Sequence, residues 1–120
     1  MDANEFKTAE GSCIISEEVI ASISCTAAQE TPGVAGMANR PADLRGIMTH
    51  NAASKSVRVT NTENDTVLDV YVMLKQGVKI QDTCSALQKN IKVAVQSMTG
   101  RPVTRINVHV EGMIAEEKNG

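Results

Sequence analysis

No tryptophan occurs in the 120 residues, and the aromatic stock is one tyrosine and one phenylalanine. A chain this poor in rings cannot offer the successive aromatic faces on which unpaired bases stack, which argues against single-strand nucleic-acid binding. Histidine is equally scarce, with two residues, so the acid-base chemistry on which most enzymes draw has little to work with. The three cysteines, Cys13, Cys25 and Cys84, form no C-x-x-C pair and stand in apolar settings. That spacing favours reduced core thiols over a disulfide framework or a zinc site, and with them a cytosolic protein. Charge is nearly balanced, 12 basic residues against 14 acidic, and a net charge of -2 gives no global field to draw in nucleic acid or anionic lipid. No apolar run is long enough for a signal peptide or a spanning helix, so no direct membrane insertion is expected.

A chain of 120 residues reads as one domain, large enough to bury about two thirds of its unfolded surface without metals or cross-links. Residues 1–10 show no apolar period and are expected to form a flexible tail, with Phe6 the only aromatic there. Gly11 opens a short strand over 13–15, and Ser16 stands where an N-cap is needed, with Glu17 and Glu18 placed to favour the helix dipole. The helix that follows sets Val19, Ile20, Ile23 and Ala27 on one side and Ser22, Gln29 and Glu30 on the other, until Pro32 and Gly33 stop it. An extended segment over 34–38 comes next. Over 39–54 the pattern supports either a short helix from Pro41 through Leu44 and Met48 or a loop containing Gly46.

Val57 and Val59 alternate with Arg58 and Thr60, and after a turn-rich stretch Leu68, Val70, Val72 and Leu74 alternate with Asp69, Tyr71 and Met73, which describes a hairpin. The strongest period is Ile80, Cys84, Leu87, Ile91, Ala94, Val95 and Met98, closed by Gly100 at the left-handed stop position. In the last strand Ile106, Val108 and Val110 oppose Arg105, Asn107, His109 and Glu111. Residues 113–120 read as a frayed tail after a folded domain over 11–112. Two one-sided helices must share a sheet. The expected fold is α+β, a two-layer sandwich with two main helices on one face of a mainly antiparallel sheet and the other face open.

Few residues carry chemistry. Asp69 and His109 can meet on the open sheet face, but solvated strand positions account for both. His50 has no carboxylate or cysteine at ligand spacing. Cys25 and Cys84 lie on helix bodies, where no helix N-terminus stabilises a thiolate. No catalytic residue, cofactor or metal is expected. Gly33 to Gly36 spell the G-x-x-G of KH domains, but two apolar middle residues and a helix-to-strand context fit a turn better than a nucleic-acid clamp. Lys75, Lys79, Lys89 and Lys92 make a modest basic patch of the kind solvated helix faces carry. Alternation gathers Arg58, Thr60, Val67, Asp69, Tyr71, Met73, Arg105, Asn107 and His109 on the uncovered side of the sheet. Tyr71 and Met73 are the candidate anchors of an interface there, with Val67, Arg105 and His109 around them.

The blocks GSCIISEEVIASISCTAAQETPGVAGM, DVYVMLKQGVKIQ and SMTGRPVTRINVHVEGM, in that order over residues 11–112, resemble the alkaline shock protein 23 family. The resemblance rests on the acidic pair after the first strand, the PGVAG stop, the D-x-Y of Asp69 and Tyr71, and the closing V-x-x-I-N-V-H-V-x-G. It implies a small non-catalytic protein of Gram-positive bacteria linked to envelope and alkaline stress. Such a protein self-assembles into a homo-oligomer or is held beneath the membrane by a separate anchor protein. The expected function is therefore an interaction or scaffold role, cytoplasmic or peripheral at the inner face of the membrane. The rival expectations are a KH-like nucleic-acid-binding module and an accessory subunit docking on a neighbouring metabolic enzyme.

Overall fold

The computed structural model describes residues 5–40, 53–62 and 65–115. The short helix or loop expected over 41–48, His50, and the tail from residue 116 lie outside the described residues. In chain order the elements are β1 (Glu5–Thr8), β2 (Gly11–Ile14), α1 (Glu17–Glu30), β3 (Val34–Met37), a single 3-10 turn (Ala53–Lys55), β4 (Val57–Asn61), β5 (Thr66–Lys75), α2 (Ile80–Thr99) and β6 (Arg105–Ile114).

β5 is the centre of the sheet. Along one edge it pairs in parallel with β6, from Val67 opposite Arg105 to Lys75 opposite Ile114. Its other edge is shared end to end by two antiparallel strands: β4 against the first half, with Val57 opposite Val70, and β3 against the second, with Met37 opposite Val72. The seam falls at Tyr71, whose N–H donates to the Ser56 carbonyl at 2.9 Å and whose carbonyl accepts from the Ala38 N–H at 2.9 Å. β3 and β4 therefore act as one strand interrupted at Tyr71, and the chain between them leaves and rejoins the sheet at that point. The β4–β5 hairpin and the helix-on-sheet layering agree with the pattern of the sequence. The parallel β5–β6 pair follows from the α2 crossover between them, a connection long enough to return the chain to the same end of the sheet.

Alternation along β5 sends Thr66, Leu68, Val70, Val72 and Leu74 beneath the helices, where they meet Val57, Val59 and Ile106 from the neighbouring strands. From above, Ile20, Ala21, Ala27 and Ala28 of α1 and Leu87, Ile91 and Val95 of α2 close the core. Fully buried aliphatics such as Leu68, Leu74 and Leu87 each contribute about 1.5–3 kcal/mol by leaving water. The caps form as the sequence demands. The Ser16 hydroxyl accepts from the Val19 N–H at 3.2 Å, and Gly100, at φ 74°, takes the left-handed turn that ends α2.

Four expectations change. The segment read as a tail holds a strand from Glu5 onward, since β1 pairs with β2, with Phe6 opposite Cys13. That hairpin is a sheet of its own, outside the four-stranded one, so the first apolar strand does not enter the core and Cys13 is exposed. β6 runs to Ile114, past the expected end of the domain at residue 112. Both helices also turn a different face inward at their margins. α1 exposes Val19 and buries Ser24, whose hydroxyl is satisfied by the Ile20 carbonyl at 2.8 Å, while the ends of the α2 stripe lie outside, Ile80 at 47 % and Met98 at 71 % exposure.

Candidate functional site: the open face of the sheet

The side of the sheet turned away from the helices carries the odd-numbered residues of β5 and their neighbours. The parallel register sets Asp69 opposite Asn107 and Tyr71 opposite His109, so a D-x-Y on one strand lies beside an N-x-H on the next. Asp69 Oδ1 accepts from Asn107 Nδ2 at 3.2 Å and from His109 Nε2 at 3.0 Å. A carboxylate only accepts, so this contact places a ring proton on Nε2 of His109. The imidazole lies flat on the Tyr71 ring, centroids 4.3 Å apart and planes 12° from parallel. Four side chains thus brace one another across two strands. Arg58 of β4 stands opposite Asp69 on the far side, completing a polar strip across three strands.

The expected interface residues fare differently. Val67, Met73 and His109 are half-buried on this face. Tyr71 is only 8 % exposed, which corrects its reading as an exposed anchor: the His109 ring covers it, and it sits at the mid-sheet seam between β3 and β4. Met73 is held close over β6, where a Cβ placed on Gly112 would come within 2.7 Å of its terminal methyl. Arg105 is exposed and lines a cleft between α2 and the start of β6, together with Lys89 and Lys92. The Asp69–His109–Asn107 link depends on register, which alternation within single strands does not specify.

Asp69 and His109 have the outline of an acid-base pair, yet a hydrolytic site also needs a nucleophile beside the imidazole and donors for an oxyanion. Among the described residues the hydrogen-bond partner of the His109 ring is Asp69 and its stacking partner is Tyr71. Burial raises the pKa of the Cys25 and Cys84 thiols, the opposite of what a reactive thiolate requires. Among the described residues no three His, Cys, Asp or Glu side chains group as metal ligands. Gly33, at φ 94°, lies against Thr83 of the first turn of α2 and Val78 of the turn before it, so the first glycine of the G-x-x-G packs elements together and presents no backbone clamp. What the open face offers is a rigid, mixed polar and apolar surface.

Comparison with known proteins agrees with this architecture. The model of the alkaline shock protein 23 family, described by a cell envelope-related function, matches residues 5–115. The uncharacterized protein Spy1535 of Streptococcus pyogenes is 35% identical over 108 residues, covering 89% of this chain and 82% of its own. The uncharacterized protein YloU of Bacillus subtilis is 30% identical over 112 residues, covering 91% and 93%. Among solved structures, the copper form of the MamM CTD superposes with a TM-score of 0.51 at 14% identity, covering 86% of this chain and 92% of that one, a likeness of fold alone. No helix among the described residues is long and apolar enough to cross a membrane. The match runs through every described element from β1 to the end of β6, and the chain belongs to the alkaline shock protein 23 family, whose function is related to the cell envelope.

Proposed function

We propose that this protein is a non-catalytic interaction module of the envelope stress response. It works at the inner face of the cell envelope, by self-assembly or by docking on a membrane-anchored partner through the open face of its sheet. The observation that carries the reading is the braced strip on β5 and β6. Asp69 fixes Asn107 and His109, His109 covers Tyr71, and Val67 and Met73 stay half-exposed beside them. A surface ordered before binding loses little side-chain freedom on association, which favours a docking role for residues that do no chemistry. The family's relation to the envelope supports the location.

The test is a change of that face which spares the core. Replacing Val67 and Met73 by Glu places two charges on the strip without touching a fully buried side chain. Affinity capture from cells with the membrane fraction retained is expected to lose its specific partner with the V67E/M73E chain, while circular dichroism shows the native spectrum and a cooperative melt. Undiminished capture by a folded V67E/M73E chain would move the interface off this face.

A further inference from the structure

Charge is unevenly distributed along a chain that is nearly neutral overall. Residues 1–18 hold five acidic side chains against one lysine, whereas residues 83–110 hold four basic side chains and no acidic one. Three of those four, Lys89, Lys92 and Arg105, line a single cleft of about 370 Å3 between α2 and the start of β6, with Val103 and Ile106 also lining it. No carboxylate lines the cleft, and none of the three cations meets an acidic side chain among the described residues. Uncompensated cations around one concavity raise the local concentration of an anionic partner. β6 itself pairs with β5 on one edge only, and among the described residues no strand covers its outer edge, although the Ile106 carbonyl beside the cleft accepts from Gln88 Nε2 at 3.1 Å. An edge without a neighbouring strand can template another one.

The opposite character is found at the other end of the chain. Among the described residues β1 and β2 pair only with each other, and every residue from Lys7 to Ile14 is exposed. A two-stranded ribbon by itself is marginal in water. Ile14, 68 % exposed, stands between Glu10 at the turn and Glu17 and Glu18 at the base of the arm. An exposed apolar residue with carboxylates on either side of it along the chain is the counterpart of an apolar-lined cleft rimmed by ammonium and guanidinium groups.

We propose that the cleft between α2 and β6 receives the acidic β1–β2 arm of a second copy of this chain. The carboxylates of the arm meet Lys89, Lys92 and Arg105, and Ile14 is covered by the cleft. Arm and cleft are different surfaces, so the contact is heterologous: a pair of copies keeps one arm and one cleft unfilled, and association continues until a rotation closes it. The inference deepens the self-assembly branch of the proposed function but uses a surface distinct from the open sheet face, so V67E/M73E leaves it intact.

The experiment uses the full chain in sedimentation and light scattering over a concentration series at low and high salt. The native chain is expected to associate at low salt and to dissociate as salt screens the contact. K89E/K92E in the cleft and E10K/E18K, one position at the turn of the arm and one at its base in the first turn of α1, should each associate at least about tenfold more weakly alone, because like charges then face each other. An equimolar mixture of the two variants should regain association, since each supplies the charge the other lacks. K89A/K92A, which keeps helix-forming residues at both positions, serves if the reversed variant melts early. A native chain that stays monomeric at low salt, a cleft variant that associates like the native chain, or a mixture that fails to recover each overturns the proposal. So does loss of binding to anionic phosphatidylglycerol vesicles in K89E/K92E with self-association unchanged, which would assign the cleft to a lipid surface.

Discussion

A glycine and a methionine on adjacent strands show how tightly the open face is built. Met73 and Gly112 are register partners just past an irregularity in the β5–β6 ladder, and the methionine's terminal methyl occupies the space a side chain at 112 would need. Gly112 lacks the positive φ that would make it obligatory on backbone grounds, so its role is to admit Met73. Gly112→Ala should therefore destabilise by about 1 kcal/mol, at the lower end of overpacking costs because the obstructing atom ends a flexible chain. In a Met73→Ala background the same change should stabilise by a few tenths of a kcal/mol to about 1 kcal/mol, the usual gain from restricting the unfolded chain. Chemical denaturation of the four proteins in the cycle measures the coupling, and equal effects of Gly112→Ala in both backgrounds would show that Met73 moves aside freely. Neither partner was legible as a pair in the sequence. Alternation puts Met73 on the open face but does not place Gly112 beneath it, since the ladder shifts by one residue between Val72 and Met73.

Periodicity identified nearly every described element, because each strand and helix buries one face and the sequence records that face. It was least informative about which strands are neighbours. The β4–β5 hairpin is a local event, fixed by a short turn in which the Thr62 N–H donates to the Asp65 carbonyl at 2.8 Å, and the sequence pattern was sufficient for it. The end-to-end placement of β3 and β4 on one edge of β5 is non-local, and no residue in either strand announces it. The pattern of α1 places Ile20 and Ala27 inward, where they are, but it also puts the exposed Val19 there and passes over Ala21, Ser24 and Ala28, because a period search favours large aliphatics. Small side chains let α1 approach its neighbours closely, and Thr31, at its end, accepts from Asn90 of α2 at 3.1 Å. The stripe on α2 was right at its centre and too long at its ends. Leu87→Ala should cost about 2–5 kcal/mol, because Leu87 is fully buried in the central core, whereas Met98→Ala, at 71 % exposure, should stay within about 0.5 kcal/mol of the parent. Thermal melts of the two variants test the boundary of the core, and comparable losses would extend the packed stripe to the last turn of α2.

At the scale of the whole molecule, one packed domain carries an arm. Among the described residues every side chain of the central cluster belongs to residues from Ile15 onward, and β1 and β2 form a separate two-stranded sheet. Folding free energy comes from buried apolar area, and the side chains from Lys7 to Ile14 are all exposed, so the arm should be dispensable for stability while remaining available for association. Removing residues 1–14 is expected to leave the denaturation midpoint of the isolated domain unchanged at low protein concentration, with Ser16 retained so that α1 keeps its cap. The outcome at high concentration should differ between the two chains. Binding that selects the folded state raises apparent stability with concentration, so the native chain should melt later as it is concentrated, and the chain without its arm should not. A loss of stability of more than about 1 kcal/mol at all concentrations would mean that the arm packs on its own domain. A concentration dependence that survives removal of the arm would instead place assembly on another surface, with the braced strip of Asp69, Tyr71 and His109 the next to test.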